Sequence, residues 1–108
     1  MDRGEIGVDI QEETPVEEQL AERFFTADEA EAIKALPDEA ARRALFFRMW
    51  SVKESFIKLT GQGMKRGLDS FCINWEKGLI EEFSGKELAR FRVCEVEPAV
   101  HLAVCYYA

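Results

Sequence analysis

Apolar and polar positions change their period along this chain, and the changes mark out its elements. From Glu5 to Ile10 the pattern alternates, with Ile6, Val8 and Ile10 separated by Gly7 and Asp9, which predicts a short buried strand. Thr14-Pro15 pairs a capping residue with proline in the first turn, so a helix should start there and run to about Phe25. Thr26-Ala27-Asp28-Glu29 is a capping-box pattern and opens a second short helix that ends near Leu36-Pro37. Asp38 can cap a third, longer helix carrying Leu45, Phe46, Met49, Trp50, Phe56, Ile57 and Leu59 at helical spacing, with Gly61 and Gly63 ending it. Beyond the glycines the pattern becomes strand-like. Ser70 to Trp75, Leu79 to Phe83, Phe91 to Val96 and Val100 to Tyr107 read as strands, with turns at Lys77-Gly78, Ser84-Gly85 and Pro98. Helices followed by strands, without βα alternation, predict an α+β fold in which three helices pack on a mostly antiparallel sheet.

At 108 residues the chain is the length of one domain, spanning 1–108. It holds 47% hydrophobic residues, which argues against disorder, and no run approaches a membrane span. The opening Met1-Asp2-Arg3-Gly4-Glu5 is polar and lacks a secretory pattern, so the expected location is cytoplasmic. The net charge of −7 is unevenly spread: −10 over residues 1–40, +5 over 41–70 and −2 over 71–108. Such a balance argues against nucleic acid as a partner, while the positive middle suits a local anion such as a phosphate. Cys72, Cys94 and Cys105 are odd in number and lack Cys-x-x-Cys spacing, so buried free thiols are expected rather than disulfides or zinc. His101, the one histidine, lies in an alternating run and reads as an ordinary strand residue.

Chemistry must then come from carboxylates and lysines. Asp9 sits between Val8 and Ile10, where a carboxylate is costly to bury unless paired or metal-bound. Glu54 and Lys58 are i, i+4 neighbours on the long helix; by themselves they read as a surface ion pair. An aspartate on a strand, a glutamate on a helix and nearby lysines would together suit a diphosphate with Mg²⁺.

Two motifs make the reading specific. Ile6-Gly7-Val8-Asp9-Ile10, followed by Trp50-Ser51-Val52-Lys53-Glu54-Ser55-Phe56-Ile57-Lys58, resembles the signature pair of the 4′-phosphopantetheinyl transferases, G-[VI]-D and [FW]-[ST]-x-K-E-[AS]-x-x-K. Arg23-Phe24-Phe25 with Glu29, Gly61-Gln62-Gly63-Met64 and Leu68-Asp69-Ser70-Phe71 resemble further segments of that family, so the likeness covers residues 5–107. It is strongest to the C-terminal half of the surfactin-synthetase-activating type.

The resemblance implies transfer of the 4′-phosphopantetheine arm of coenzyme A to a serine of an acyl- or peptidyl-carrier protein, with adenosine 3′,5′-bisphosphate released. It implies Mg²⁺ as cofactor, coenzyme A as substrate, and Asp9, Gln11 and Glu54 at the metal. Glu54 would also help remove the serine proton, directly or through water; Lys58 would contact the reacting phosphate, and Lys53 is a further phosphate contact. Glu29 matches an acidic family position near the active site. Arg42, Arg43, Lys65 and Arg66 are candidates for docking the carrier.

Two departures qualify the likeness. The surfactin type commonly has an acid where this chain has Gln11, which should weaken metal binding. That type also has two similar halves with coenzyme A between them, and this chain resembles only the second. It should therefore work as a homo-oligomer, a dimer or trimer, or with a missing N-terminal half. The alternative is an inactive or truncated half-unit that only binds coenzyme A or a partner chain. The large side chains Phe24, Phe25, Phe46, Phe47 and Trp50 either fill one core or are covered by such an assembly.

Overall fold

A computed structural model of the chain describes residues 5–15, 19–62 and 66–107. The elements run β1 (Ile6–Glu12), α1 (Gln19–Phe24), α2 (Ala27–Lys34), α3 (Glu39–Thr60), β2 (Cys72–Asn74), β3 (Leu79–Glu81), β4 (Glu87–Glu97) and β5 (Val100–Tyr106). Three helices lie on a five-stranded sheet of order β1-β5-β4-β3-β2, and every neighbouring pair is antiparallel, as the α+β expectation required.

The helix signals act as their chemistry predicts. The Thr26 hydroxyl accepts from Glu29 N at 3.2 Å while the Glu29 carboxylate accepts from Thr26 N at 3.1 Å, closing the capping box. Asp38 accepts from Ala41 N at the start of α3, and Gly61 ends α3 in the left-handed region at φ 71°. The Thr14-Pro15 signal does not begin a helix at those two residues; residues 16–18 lie outside the described residues, and α1 is described from Gln19. Gly63 also lies outside them. The strands differ mainly at their ends. β4 starts at Glu87, four residues before the expected Phe91, because Glu87 and Ala89 pair with β3 across a bulge.

α3 spans two apolar clusters. Its first half packs Phe46, Phe47 and Met49 against Ala21, Phe25, Ala30 and Ile33. Its second half packs Val52, Phe56, Ile57 and Leu59 against Phe71, Ile80, Ala89, Phe91, Ala103 and Cys105 of the sheet side. Phe24 and Trp50 are partly buried against the first cluster, with ring centroids 5.5 Å apart, so most of the large aromatics fill this chain's own core.

β1 reverses the expectation drawn from its alternation. Gly7 and Asp9 are buried, and Ile6, Val8 and Ile10 are 57%, 40% and 60% exposed. The cause is the closeness of α3 at position 7: a Cβ on Gly7 would lie 1.9 Å from the Ser55 carbonyl oxygen, so this position must face the helix and must be glycine, and Asp9, two residues on, faces the same way. The cysteine expectation holds for one residue of three. Cys105 is buried, Cys72 is intermediate and Cys94 is exposed, because neighbouring strand positions face opposite ways.

Candidate active site

Asp9 points from β1 toward α3 and is nearly buried, and its two oxygens are held separately. Lys58 Nζ lies 2.7 Å from Oδ1, and Gln11 Nε2 donates to Oδ2 at 2.7 Å. Lys58 therefore pairs across the fold with Asp9 and not with Glu54 on its own helix. Glu54, one turn before Lys58, lies near enough to feel both charges. Burial raises its pKa first, Asp9 raises it further, and Lys58 opposes them. The structure thus brings Asp9, Gln11, Glu54 and Lys58 into one cluster where β1 meets the last turns of α3.

Beside the cluster lies a cleft of about 540 Å³, lined by Glu54 and Lys58, by Phe24, Trp50 and Ile57, and by Arg66, Gly67 and Leu68. Its walls are mostly apolar with a few charged groups, the usual build of a small-molecule site. The sequence did not mark residues 66–68 as a wall, since they carry no periodic pattern.

Lys53, expected as a phosphate contact, is enclosed away from the cleft in this structure. Its side chain is 0% exposed, and its three ammonium protons match three acceptors: Glu29 Oε1 at 2.6 Å, Leu68 O at 2.5 Å and Phe71 O at 2.7 Å. The Phe71 ring centroid lies 4.6 Å from Nζ. Burial pulls the Lys53 pKa down, and the charge of Glu29 resists. Glu29, expected near the active site, is spent on the interior: its Oε2 also accepts from Ile73 N at 3.0 Å. The pair ties α2 and α3 to the segment that forms the cleft wall. Of the basic candidates for docking, Arg42 donates to Leu36 O, Arg43 lies near Glu13 and Glu39, and Arg66 stacks near Phe56 and Phe71; Lys65 lies outside the described residues.

A sequence model of the 4′-phosphopantetheinyl transferase superfamily matches residues 5–105. This chain belongs to that superfamily. Among 4′-phosphopantetheinyl transferases, it is 48% identical to psf-1 of Bacillus pumilus over 97% of the chain, and 34% identical to Sfp of Bacillus subtilis over 93%. In each comparison it spans 46% of the relative's length, and the match is to the C-terminal half. The crystal structure of a holo-[acyl-carrier-protein] synthase from Thermotoga maritima superposes with a TM-score of 0.66, covering 94% of this chain and 61% of that one. At 20% identity this likeness shows the 4′-phosphopantetheinyl transferase fold.

The superfamily's implied Mg²⁺ can be tested against the donor set. Asp9 and Glu54 offer carboxylate oxygens and Gln11 an amide oxygen, all hard donors of the kind Mg²⁺ takes, with room for water and phosphate. Gln11 turns its NH₂ toward Asp9, and rotating the amide half a turn presents Oε1 instead. The residues fit the ion, with one negative charge fewer than a third carboxylate would give. No helix among the described residues is long and apolar enough to cross a membrane.

Proposed function

We propose that this chain transfers the 4′-phosphopantetheine arm of coenzyme A to a serine of an acyl- or peptidyl-carrier protein in the cytoplasm, releasing adenosine 3′,5′-bisphosphate, in a Mg²⁺-dependent reaction. The observation that carries the reading is the Asp9–Lys58 pair, 2.7 Å apart, with Glu54 beside it at the mouth of the cleft. In this reading Asp9, Gln11 and Glu54 hold the ion, which when bound neutralises the diphosphate and polarises its phosphorus.

The remaining steps fall to this chain's own groups. The serine hydroxyl attacks the phosphorus on the pantetheine side, and the bond to the bridging oxygen breaks. Glu54 takes the serine proton, directly or through water; its raised pKa suits a carboxylate that must accept one. Lys58, half exposed at the cleft, leaves Asp9 Oδ1 to contact the phosphate oxygens and steady the leaving bisphosphate. The cleft's apolar side, with Phe24, Trp50 and Ile57, suits the uncharged arm.

The reading calls for a second unit, either another copy of this chain or an N-terminal half, because the chain spans 46% of the length of psf-1 and of Sfp. The same fact, with Gln11, favours the second reading of a half-unit that binds coenzyme A or a partner without turnover. The test is a transfer assay of the purified chain with coenzyme A, Mg²⁺ and apo carrier proteins, read as mass gained on the carrier. Addition that disappears on chelation supports transfer by the chain itself. No addition from a folded chain, across several carriers, supports the second reading.

A further inference from the structure

Apart from the Asp9 cluster, strand register gathers three other ligand-bearing side chains. On the sheet face turned toward the helices, Glu95 of β4 lies directly across from His101 of β5, and His101 across from Gln11 of β1. Glu13, two residues past Gln11, completes the group: its Oε2 is 2.7 Å from His101 Nε2. One ligand atom from each of Glu13, Glu95 and His101 lies within 4.8 Å of the others. We propose that these three residues form a divalent transition-metal site, with Zn²⁺ as its probe, separate from the Asp9 cluster and independent of the transfer reading.

Three features support a ligand set over a packing accident. First, each carboxylate has one oxygen engaged outside the group and a second oxygen to spare. Glu13 Oε1 faces Arg43 Nε at 3.7 Å, leaving Oε2 at the imidazole, and Glu95 Oε2 accepts from Ala99 N at 2.9 Å, leaving Oε1. Ligating carboxylates are commonly steadied in this way. Second, the His101 side chain is 4% exposed, yet its Nδ1 has no hydrogen-bond partner among the described residues. With no hydrogen bond at Nδ1, the 2.7 Å contact of Nε2 with Glu13 is the ring's one polar tether among the described residues, so no second hydrogen bond resists a small shift of Nε2 onto an ion. Third, β4 carries a register shift between Glu95 and Glu97, the kind of irregularity that re-aims a side chain at a site.

The geometry demands little movement. Zn²⁺ bonds of about 2.0–2.1 Å at a tetrahedral angle put two ligand atoms roughly 3.3 Å apart, so the His101–Glu13 pair opens by about 0.6 Å as the ion replaces the shared proton. One imidazole and two carboxylates balance the ion's charge, and exposed Glu95 leaves a path for entry and a water ligand. The guanidinium of Arg43 opposes the ion, and its hold on Glu13 Oε1 keeps that charge on the far oxygen.

His101 is the one histidine of the chain, so its imidazole NMR signals report this site alone. Zn²⁺ is titrated into the chain in a Cys94→Ser background, which removes an exposed thiol. The expected result is a shift of the His101 ring signals that saturates at one equivalent. Glu95→Gln, at an exposed position where the amide oxygen can keep the Ala99 bond, should weaken binding at least tenfold. Asp9→Asn should leave it within about twofold. Ring signals that do not move, a shift that Glu95→Gln spares, or one that Asp9→Asn abolishes would overturn the proposal.

Discussion

Gly7 and Ser55 meet backbone to backbone: a Cβ built on Gly7 would lie 1.9 Å from the Ser55 carbonyl oxygen and 2.6 Å from Leu59 N. The side chain of Ser55 is small, fully buried and bonded to Val52 O at 2.6 Å, so nothing props the helix off the strand. This approach sets the depth at which Asp9 reaches Lys58. Gly7→Ala should push β1 from α3 and cost at least about 2 kcal/mol by chemical denaturation, since backbone cannot yield as a rotamer does. Transfer activity should fall more than the folded fraction does.

The two lysines of the second motif should separate stability from chemistry. Lys53→Ala leaves Glu29 buried without its cation and should cost about 3–5 kcal/mol in urea unfolding. Lys58→Ala also strips a buried carboxylate of its cation, but Asp9 keeps the Gln11 bond and water can enter where the half-exposed ammonium stood, so it should cost less, while transfer drops by orders of magnitude. Equal stability losses would contradict this division.

Glu54 gives a pH signature. Its folded pKa lies above the ordinary 4.5, so the folded state holds the proton more tightly than the unfolded one. Stability from this group is greatest at low pH and is lost as pH rises from about 4.5 through the raised value. Glu54→Gln should remove that loss, so its advantage over the wild type should grow with pH across this window, read from denaturation midpoints at a series of pH values.

Gln11→Glu should strengthen Mg²⁺ binding by roughly tenfold or more. One added charge about 4 Å from a dication is worth about 8 kcal/mol at an effective dielectric of about 20, and the cost of desolvating the new carboxylate offsets most of it. Calorimetric titration of Mg²⁺ into both forms, with coenzyme A present, measures the difference.

Thiol labelling should follow strand parity. Cys94, exposed on β4, should be alkylated in the native state within minutes. Cys105 should resist until the chain unfolds, because burial pushes its pKa up to about 12 and leaves almost no thiolate.

Much of this was legible in the sequence, because caps, glycine stops and motif spacing act locally. Thr26 with Glu29, Asp38 and Gly61 bound their helices as their types require, and the two motifs placed Asp9, Glu54 and Lys58 in one cluster. What misled was sidedness. The alternation of Ile6, Val8 and Ile10 correctly marked a strand but could not say that its small residues face inward, since this depends on how closely α3 lies. Lys53 and Glu54 are adjacent in one motif, and only the helix's placement shows that one ammonium is enclosed while its neighbour's carboxylate faces the cleft. The Glu13–Glu95–His101 group was invisible because it depends on the register of three strands.

The row of Ile6, Val8 and Ile10 has one more consequence. β1 ends the sheet, so among the described residues no strand lies on one side of its backbone, and its outward side chains are mostly apolar. An edge strand of this kind is a template for further strands, and within β1 only Glu12 adds a charge to the outward row, the Asp9 carboxylate being turned inward. Kept apart from whatever covers it, this chain should be colloidally fragile. Its light scattering should rise with concentration, and Val8→Lys should keep it clear.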